Sequence, residues 1–305
     1  MKAKTLSASS FKAPIVKANA LSGTFAFTVD VEEWFQVGAF ETTFTKADWP
    51  SLESRVELQT LKLLDFMRGA SIKGTFFCLG WVAEKYPSLL KAIVNDGHEI
   101  ACHGLDHDRL FTMSKADFKA DIQRSKGAIE DVTGVTVIGY RAPSFSLTPN
   151  VWWVYDLLDS EGFKYSSSLY PVKTDHYGME SAPRAPFYPA NSSIVEIPMT
   201  VCDVPFRRLP ASGGGYFRLM PYWLSRYLLR NGAKQSSAPA IFYMHPWEMD
   251  TDQPYVKEAP LLSRFRHYQG QARLPAKLTR LAKDFSWGRM QDIYENILTE
   301  VKVGK

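Results

Sequence analysis

The sequence is poor in cysteine, in charge blocks and in long apolar runs, and each shortage excludes something. Three cysteines among 305 residues, Cys78, Cys102 and Cys202, stand at irregular spacing and give no disulfide framework. Cys78 and Cys102 fall inside apolar, strand-like runs, the setting of buried free thiols, which points to a reducing compartment. No stretch is long and apolar enough to span a membrane. Residues 1–20 carry four lysines but no continuous apolar segment of the kind a secretory leader needs. The expectation is a cytoplasmic chain with a flexible tail over residues 1–22. The net charge is only +4 and no Lys/Arg run is present, so a nucleic-acid partner is not expected. A P-loop, a post-strand G-x-G-x-x-G, an H-E-x-x-H pair, internal repeats and low-complexity segments are all missing.

What is present is a globular composition, 45% hydrophobic and 22% charged, with enough length for one large core and an extension. Short β-rich runs alternate with helical periodicity from residue 23 onward. Strands are expected at 24–29, 74–79, 99–102, 136–140, 194–197 and 240–244. Helices are expected at 52–68, 82–95, 114–133, 149–160 and 221–230. This succession predicts a parallel α/β fold. Periodicity alone fits both a doubly wound sheet and a (β/α) barrel. The polar residues favour the barrel, because they follow several well-separated strands and would meet at one mouth. The Pro-, Ser- and Gly-rich stretch 166–220 reads as long loops over one face. Residues 251–305 read as a basic helical extension, leaving 23–250 as the barrel.

Four clusters carry chemistry. Asp30, Glu32 and Glu33 end the first strand, and strand alternation puts Asp30 and Glu32 on one side and Glu33 on the other. His103 and His107 form an H-x-x-x-H pair. Gly104 argues against a mid-helix position for them and for a turn entering a helix. Arg141 leaves a strand into a rigid Ala142-Pro143-Ser144 turn, and His245 ends the last strand. Taken singly, each has an ordinary explanation: a solvated acidic loop, chance surface histidines, a structural ion pair, a satisfied core histidine.

Their order is more telling. An acid pair, then H-x-x-x-H, then R-x-P, then a strand-terminal histidine resembles the motif series of the NodB-type polysaccharide deacetylases (carbohydrate esterase family 4) over about residues 23–248. The stretches Asp30-Val31-Glu32-Glu33-Trp34-Phe35-Gln36, Gly213-Gly214-Gly215-Tyr216-Phe217-Arg218 and Met244-His245-Pro246-Trp247-Glu248 resemble the subgroup associated with exopolysaccharide loci. So does a tail running from Asp252-Gln253-Pro254 through Arg266-His267-Tyr268.

That resemblance implies a distorted (β/α) barrel, one divalent metal, most often zinc, and a polysaccharide or oligosaccharide substrate that loses N-acetyl groups. The family's first motif has two adjacent aspartates, base then ligand. Asp30 matches the base. Val31 cannot bind metal, but some members use an acid two positions after the base, which Glu32 fits, with Glu33 as the alternative. His103 and His107 match the histidine ligands. Arg141 matches the arginine that holds the base, the Ser144 N–H an oxyanion donor, and His245 the general acid. Ser166 stands where relatives often carry an Asp that pairs with the acid histidine. Asp175 or Glu248 would have to supply that charge, or His245 would be less basic. Trp34, Phe35, Tyr170, Tyr216 and Trp247 are candidates to line a sugar groove. A hydrolase of small linear or cyclic amides on the same scaffold is the alternative function.

Overall fold

A computed structural model describes residues 23–174, 178–190 and 192–299. The expected tail at 1–22 and Asp175 lie outside the described residues. The core is a curled parallel sheet built from β1 (Thr24–Val31), β2 (Thr75–Cys78), β3 (Glu99–Cys102), β4 (Gly139–Tyr140), β5 (Tyr165–Ser166) and β6 (Val195–Glu196). A β7–β8 hairpin (Val201–Val204 and Arg207–Pro210) follows, and β9 (Ile241–Met244) returns to pair with the other edge of β1. No ladder joins β6 to β9. The ring is closed there by single bonds, Ile241 N–H to Thr200 Oγ1 (2.8 Å) and Tyr243 N–H to the Ser212 carbonyl (2.6 Å). This is the distorted (β/α) barrel the sequence implied.

Helices α1 (Val56–Gly69), α2 (Gly80–Lys85), α3 (Pro87–Asn95), α4 (Lys115–Thr133), α5 (Val154–Ser160), α6 (Gly214–Leu219) and α7 (Tyr222–Ser236) follow in chain order. Ser114 and Asp117 form a capping box at the start of α4, and Gly134 (φ 68°) ends it in the left-handed conformation. The helix expected over 82–95 is instead two, because Pro87 opens a new helix at its N-terminal turn. The one expected over 149–160 begins as a 3-10 turn at Pro149–Val151. The strand expected over 136–140 shrinks to two residues. No helix among the described residues is long and apolar enough to cross a membrane.

Alternation along the strands sorts the core into two shells. Phe25, Phe27, Val29 and Val31 face the helices together with Phe76, Cys78, Phe242 and Met244. Ala26, Phe77, Ala101, Tyr165, Val195, Ile241 and Tyr243 fill the barrel. The same alternation, continued past the strand ends, turns Asp30, Glu32, His103, Arg141 and His245 inward at one mouth.

The C-terminal segment contributes more than the expected helices. It supplies α8 (Leu261–Tyr268) and α9 (Leu274–Asp284), and then β10 (Ser286–Gly288), which pairs in parallel with Thr24–Ala26 of β1. Trp287 packs its ring against Phe25, Phe27 and Phe242. A boundary at residue 250 therefore cuts through the sheet and its outer core.

Candidate active site

Glu32, His103 and His107 converge, with one potential ligand atom from each lying within 4.8 Å of the others. The histidines are set by a loop, not by a helix as the spacing allowed. Gly104 (φ 82°) and His107 (φ 61°) both adopt left-handed backbone between β3 and a 3-10 turn at Leu110–Thr112. His103 Nδ1 lies 2.8 Å from the Arg141 carbonyl. A carbonyl only accepts, so the proton sits on Nδ1 and Nε2 presents a lone pair. That lone pair faces Glu32 Oε2 at 3.7 Å, and His107 Nε2 is 2.7 Å from the same oxygen. Glu32 Oε2 is buried and accepts no well-formed hydrogen bond. Two lone-pair atoms facing each other in a buried site repel unless a cation lies between them, so the donor set fits a divalent metal. Burial pushes the Glu32 carboxyl up, but His107 and His245 beside it outweigh burial and hold the group well below the ordinary carboxylate range. Glu33 is no alternative ligand. Its carboxylate accepts from the Arg55 and Val56 N–H groups (3.0 and 3.2 Å) and from the Ser54 hydroxyl, capping α1.

Asp30 stands beside this set, 2% exposed. Arg141, fully buried, donates Nη1 to Asp30 Oδ1 (2.6 Å) and to Thr28 Oγ1 (2.9 Å). Its Nε reaches the Ser167 carbonyl (3.1 Å), and its guanidinium lies 4.0 Å over the Phe77 ring. Asp30 Oδ2 is left facing His245 Nε2 at 4.0 Å.

His245 Nε2 also lies 3.5 Å from Glu32 Oε1, while its Nδ1 is 2.9 Å from Glu248 Oε1. Burial opposes its charge, yet Glu32, Glu248 and Asp30 prevail and push its pKa up to about 9. Burial likewise pushes Glu248 up, but Arg218 and His245 keep it below its usual value. Glu248, one of the two acids considered for the missing motif carboxylate, stands at His245. Ser166 bonds Ser168 Oγ (2.8 Å) in a separate buried network around Glu196.

Asp30, Glu32, His103, His107 and His245 line one cavity of about 200 Å³, together with Ser144, Phe145, Tyr243 and Trp247. Ser144 and Phe145 have φ of 52° and 48°. Each non-glycine residue held this way costs on the order of 1–3 kcal/mol, and such strain gathers at functional sites.

A family model described as "Polysaccharide deacetylase" matches residues 48–162, and one described as a domain of unknown function (DUF3473) matches 167–295. The chain is 29% identical over 134 residues to a peptidoglycan-N-acetylglucosamine deacetylase of Bacillus cereus, covering 40% of this chain and 47% of that protein. It is 31% identical over 113 residues to a peptidoglycan deacetylase of Helicobacter pylori, covering 35% and 36%. The chain thus spans less than half of these curated relatives. Its fold matches a crystal structure from Mycobacterium smegmatis, described provisionally as a polysaccharide deacetylase, with a TM-score of 0.59, 22% identity and coverage of 94% and 93%. The chain carries a polysaccharide deacetylase domain of the NodB type, matched over residues 48–162. The site is divided between the two matched regions. His103, His107, Arg141 and Ser144 fall in the first and His245 and Glu248 in the second, while Asp30 and Glu32 precede both. The region described as of unknown function completes the barrel.

The aromatic candidates fare differently. Trp34 is 1% exposed, donates Nε1 to the Glu53 carbonyl (2.9 Å), and packs edge-on against Phe35, Phe40 and Phe44. It is core, and so is Phe35. Tyr170 is fully buried against Phe145 and Tyr243, beneath the cavity rather than in it. Tyr216 lines an adjoining cleft of about 390 Å³. Trp247 lines both spaces, but its ring is stacked between His245 (5.0 Å) and His267 (4.3 Å), leaving no open face for a sugar. Its Nε1 points to Glu32 Oε1 at 3.3 Å, turning the other carboxylate oxygen toward the histidines. Arg218 and His267 were not singled out as site residues from sequence, although the stretches that contain them were noticed.

Proposed function

We propose that this chain is a metal-dependent hydrolase that removes N-acetyl groups from N-acetylhexosamine residues of a polysaccharide, releasing acetate. One observation carries the reading. A three-ligand metal set, a carboxylate clamped by a buried arginine and a carboxylate-backed histidine all line one cavity. The peptidoglycan deacetylases it resembles support the choice of an acetylated amino sugar. The adjoining cleft shares Val37, Ala39, Trp247 and Arg266 with the cavity and offers room for a neighbouring sugar. We assign the polymer as an exopolysaccharide on the strength of the motif stretches around Asp30, Gly213 and His245. The free, buried Cys78, Cys102 and Cys202 are compatible with the cytoplasmic location expected from sequence.

Glu32, His103 and His107 would hold the ion, and a carboxylate with two imidazoles suits zinc, other divalent transition metals being acceptable. Bound there, it supplies a Lewis acid and lowers the pKa of water to about 7. Asp30, fixed by Arg141, takes a proton from the water that adds to the acetyl carbonyl carbon. The Ser144 N–H donates to the oxygen that gains charge. His245 gives a proton to the sugar nitrogen as the C–N bond breaks, since an amine leaves poorly as an anion. The products are acetate and a free amino sugar.

The test is acetate release from chitooligosaccharides by zinc-loaded protein. Asp30→Asn keeps an acceptor for Arg141 and should fold, yet release no acetate. A chelated, metal-free protein that stays fully active would sink the proposal. So would hydrolysis of small amides with none of acetylated sugars.

A further inference from the structure

We propose that Arg218 and His267 are positioning residues for His245, so that the C-terminal segment belongs to the catalytic apparatus. The inference rests on the deacetylase reading above. Two of the contacts that hold His245 lead toward the C-terminal segment. Glu248 Oε1 meets both its Nδ1 (2.9 Å) and its N–H (3.0 Å), and the Trp247 indole lies parallel to its ring. Both supports end on residues beyond 250.

Arg218 is 3% exposed and sends Nε to Glu248 Oε2 at 2.6 Å. Its Nη1 donates to the carbonyls of His267 (2.8 Å) and Gln269 (2.7 Å), and its Nη2 to that of Arg266 (2.8 Å). These are orphan carbonyls at the C-terminal end of α8 and just past it. One rigid guanidinium fork therefore binds a helix end and a carboxylate together, which the single ammonium of lysine cannot reproduce. The clamp is reciprocal, because Lys277 of α9 donates to the carbonyls of Phe217, Arg218 and Met220 at the end of α6. Gly270 (φ 82°) marks how closely the segments meet, since a Cβ there would lie 2.8 Å from the Arg218 carbonyl oxygen. His267 is 2% exposed, bonded through Nε2 to Gln253 Oε1 (2.6 Å), and presses on the face of Trp247 opposite His245. Without Arg218 the Glu248 carboxylate loses its anchor. Without the His267 ring, Trp247 is free to shift, and His245 with it.

The experiment compares two substrates in the full-length, zinc-loaded chain. An N-acetylated chitooligosaccharide needs its leaving nitrogen protonated, whereas 4-nitrophenyl acetate has a leaving group that departs unprotonated. Arg218→Met should lower kcat on the oligosaccharide about 100-fold or more, the scale of a general acid. KM should change less than two-fold, bound zinc should stay at one per chain, and the aryl ester should lose no more than a few-fold. Arg218→Lys should not rescue. His267→Ala should show the same selective loss, and His267→Phe, which keeps a stacked ring, should recover most of it. The His267 pair carries the test if Arg218→Met fails to fold. Equal loss on both substrates, or no loss on either, would overturn the positioning role while leaving the deacetylase reading standing. Absence of acetate release by the parent protein would remove both.

Discussion

Replacing Arg141 by methionine tests the arrangement at its most buried point. The guanidinium is fully enclosed and bonds Asp30, Thr28 and Ser167, while Asp30 is itself 2% exposed. Arg141→Met removes the cation and leaves the buried Asp30 carboxylate near Glu32 with no partner at Oδ1. Breaking a buried pair from one side typically costs about 3–5 kcal/mol, much of it the orphaned charge. Against a net stability on the order of 5–15 kcal/mol, that is a large share. An unfolding entropy of about 2 cal/mol/K per residue over a chain of this size converts it to a melting-point drop of roughly 5–8 °C. Calorimetry of the zinc-loaded protein at neutral pH reads it directly. The double variant Arg141→Met/Asp30→Asn removes the stranded charge as well. It should therefore melt higher than Arg141→Met alone, with a coupling of about 1–3 kcal/mol. A single variant that melts with the parent, or a double variant no better than the single, would show that the pair is not what holds Asp30.

His103→Ala should leave less than a tenth of the parent's bound zinc. Zinc at about 100 times its dissociation constant should stabilise the parent by roughly 2.7 kcal/mol, and this shift should vanish in the variant; zinc-independent melting of the parent would contradict the metal site. Glu196 is buried, and burial outweighs its bonds from Ser166, Leu169, Ser168 and Tyr155 to push its pKa up to about 7. A folded pKa above the ordinary 4.5 gives stability that is complete below pH 4.5 and lost as pH rises through 7. Between pH 5 and 8 the parent should lose roughly 3 kcal/mol relative to Glu196→Gln, and parallel pH curves would refute the shift. Trp287→Ala should cost about 3–5 kcal/mol if β10 is part of the barrel core. A loss no greater than that of the exposed Leu262→Ala would make the strand peripheral.

What could be read from the sequence was what depends on neighbours along the chain. Strand alternation separated Glu33 from Asp30 and Glu32, and the structure sends Glu33 to cap α1 while the other two face the cavity. The Ser114-to-Gly134 helix was legible because its caps lie within it. The histidine pair was legible as a pair, but not the left-handed backbone at His107 that aims it, because a non-glycine residue carries no mark of positive φ. The buried placing of Trp34, Phe35 and Tyr170 was hidden for a related reason. Whether a ring faces solvent is decided by how the chain packs around it: Trp34 is enclosed by the turns that follow it, through Phe40 and Phe44, and Trp247 by His245 and the His267 ring of α8. β10 was not legible because it is three residues long, too short to show a period, and its place is fixed by its fit against β1. The same logic hides Arg218. Nothing local distinguishes an arginine that binds a helix end and a carboxylate from one on a surface. Its role exists only when α6, α8 and Glu248 have met, so the residue that ties the C-terminal segment to His245 becomes visible only in three dimensions.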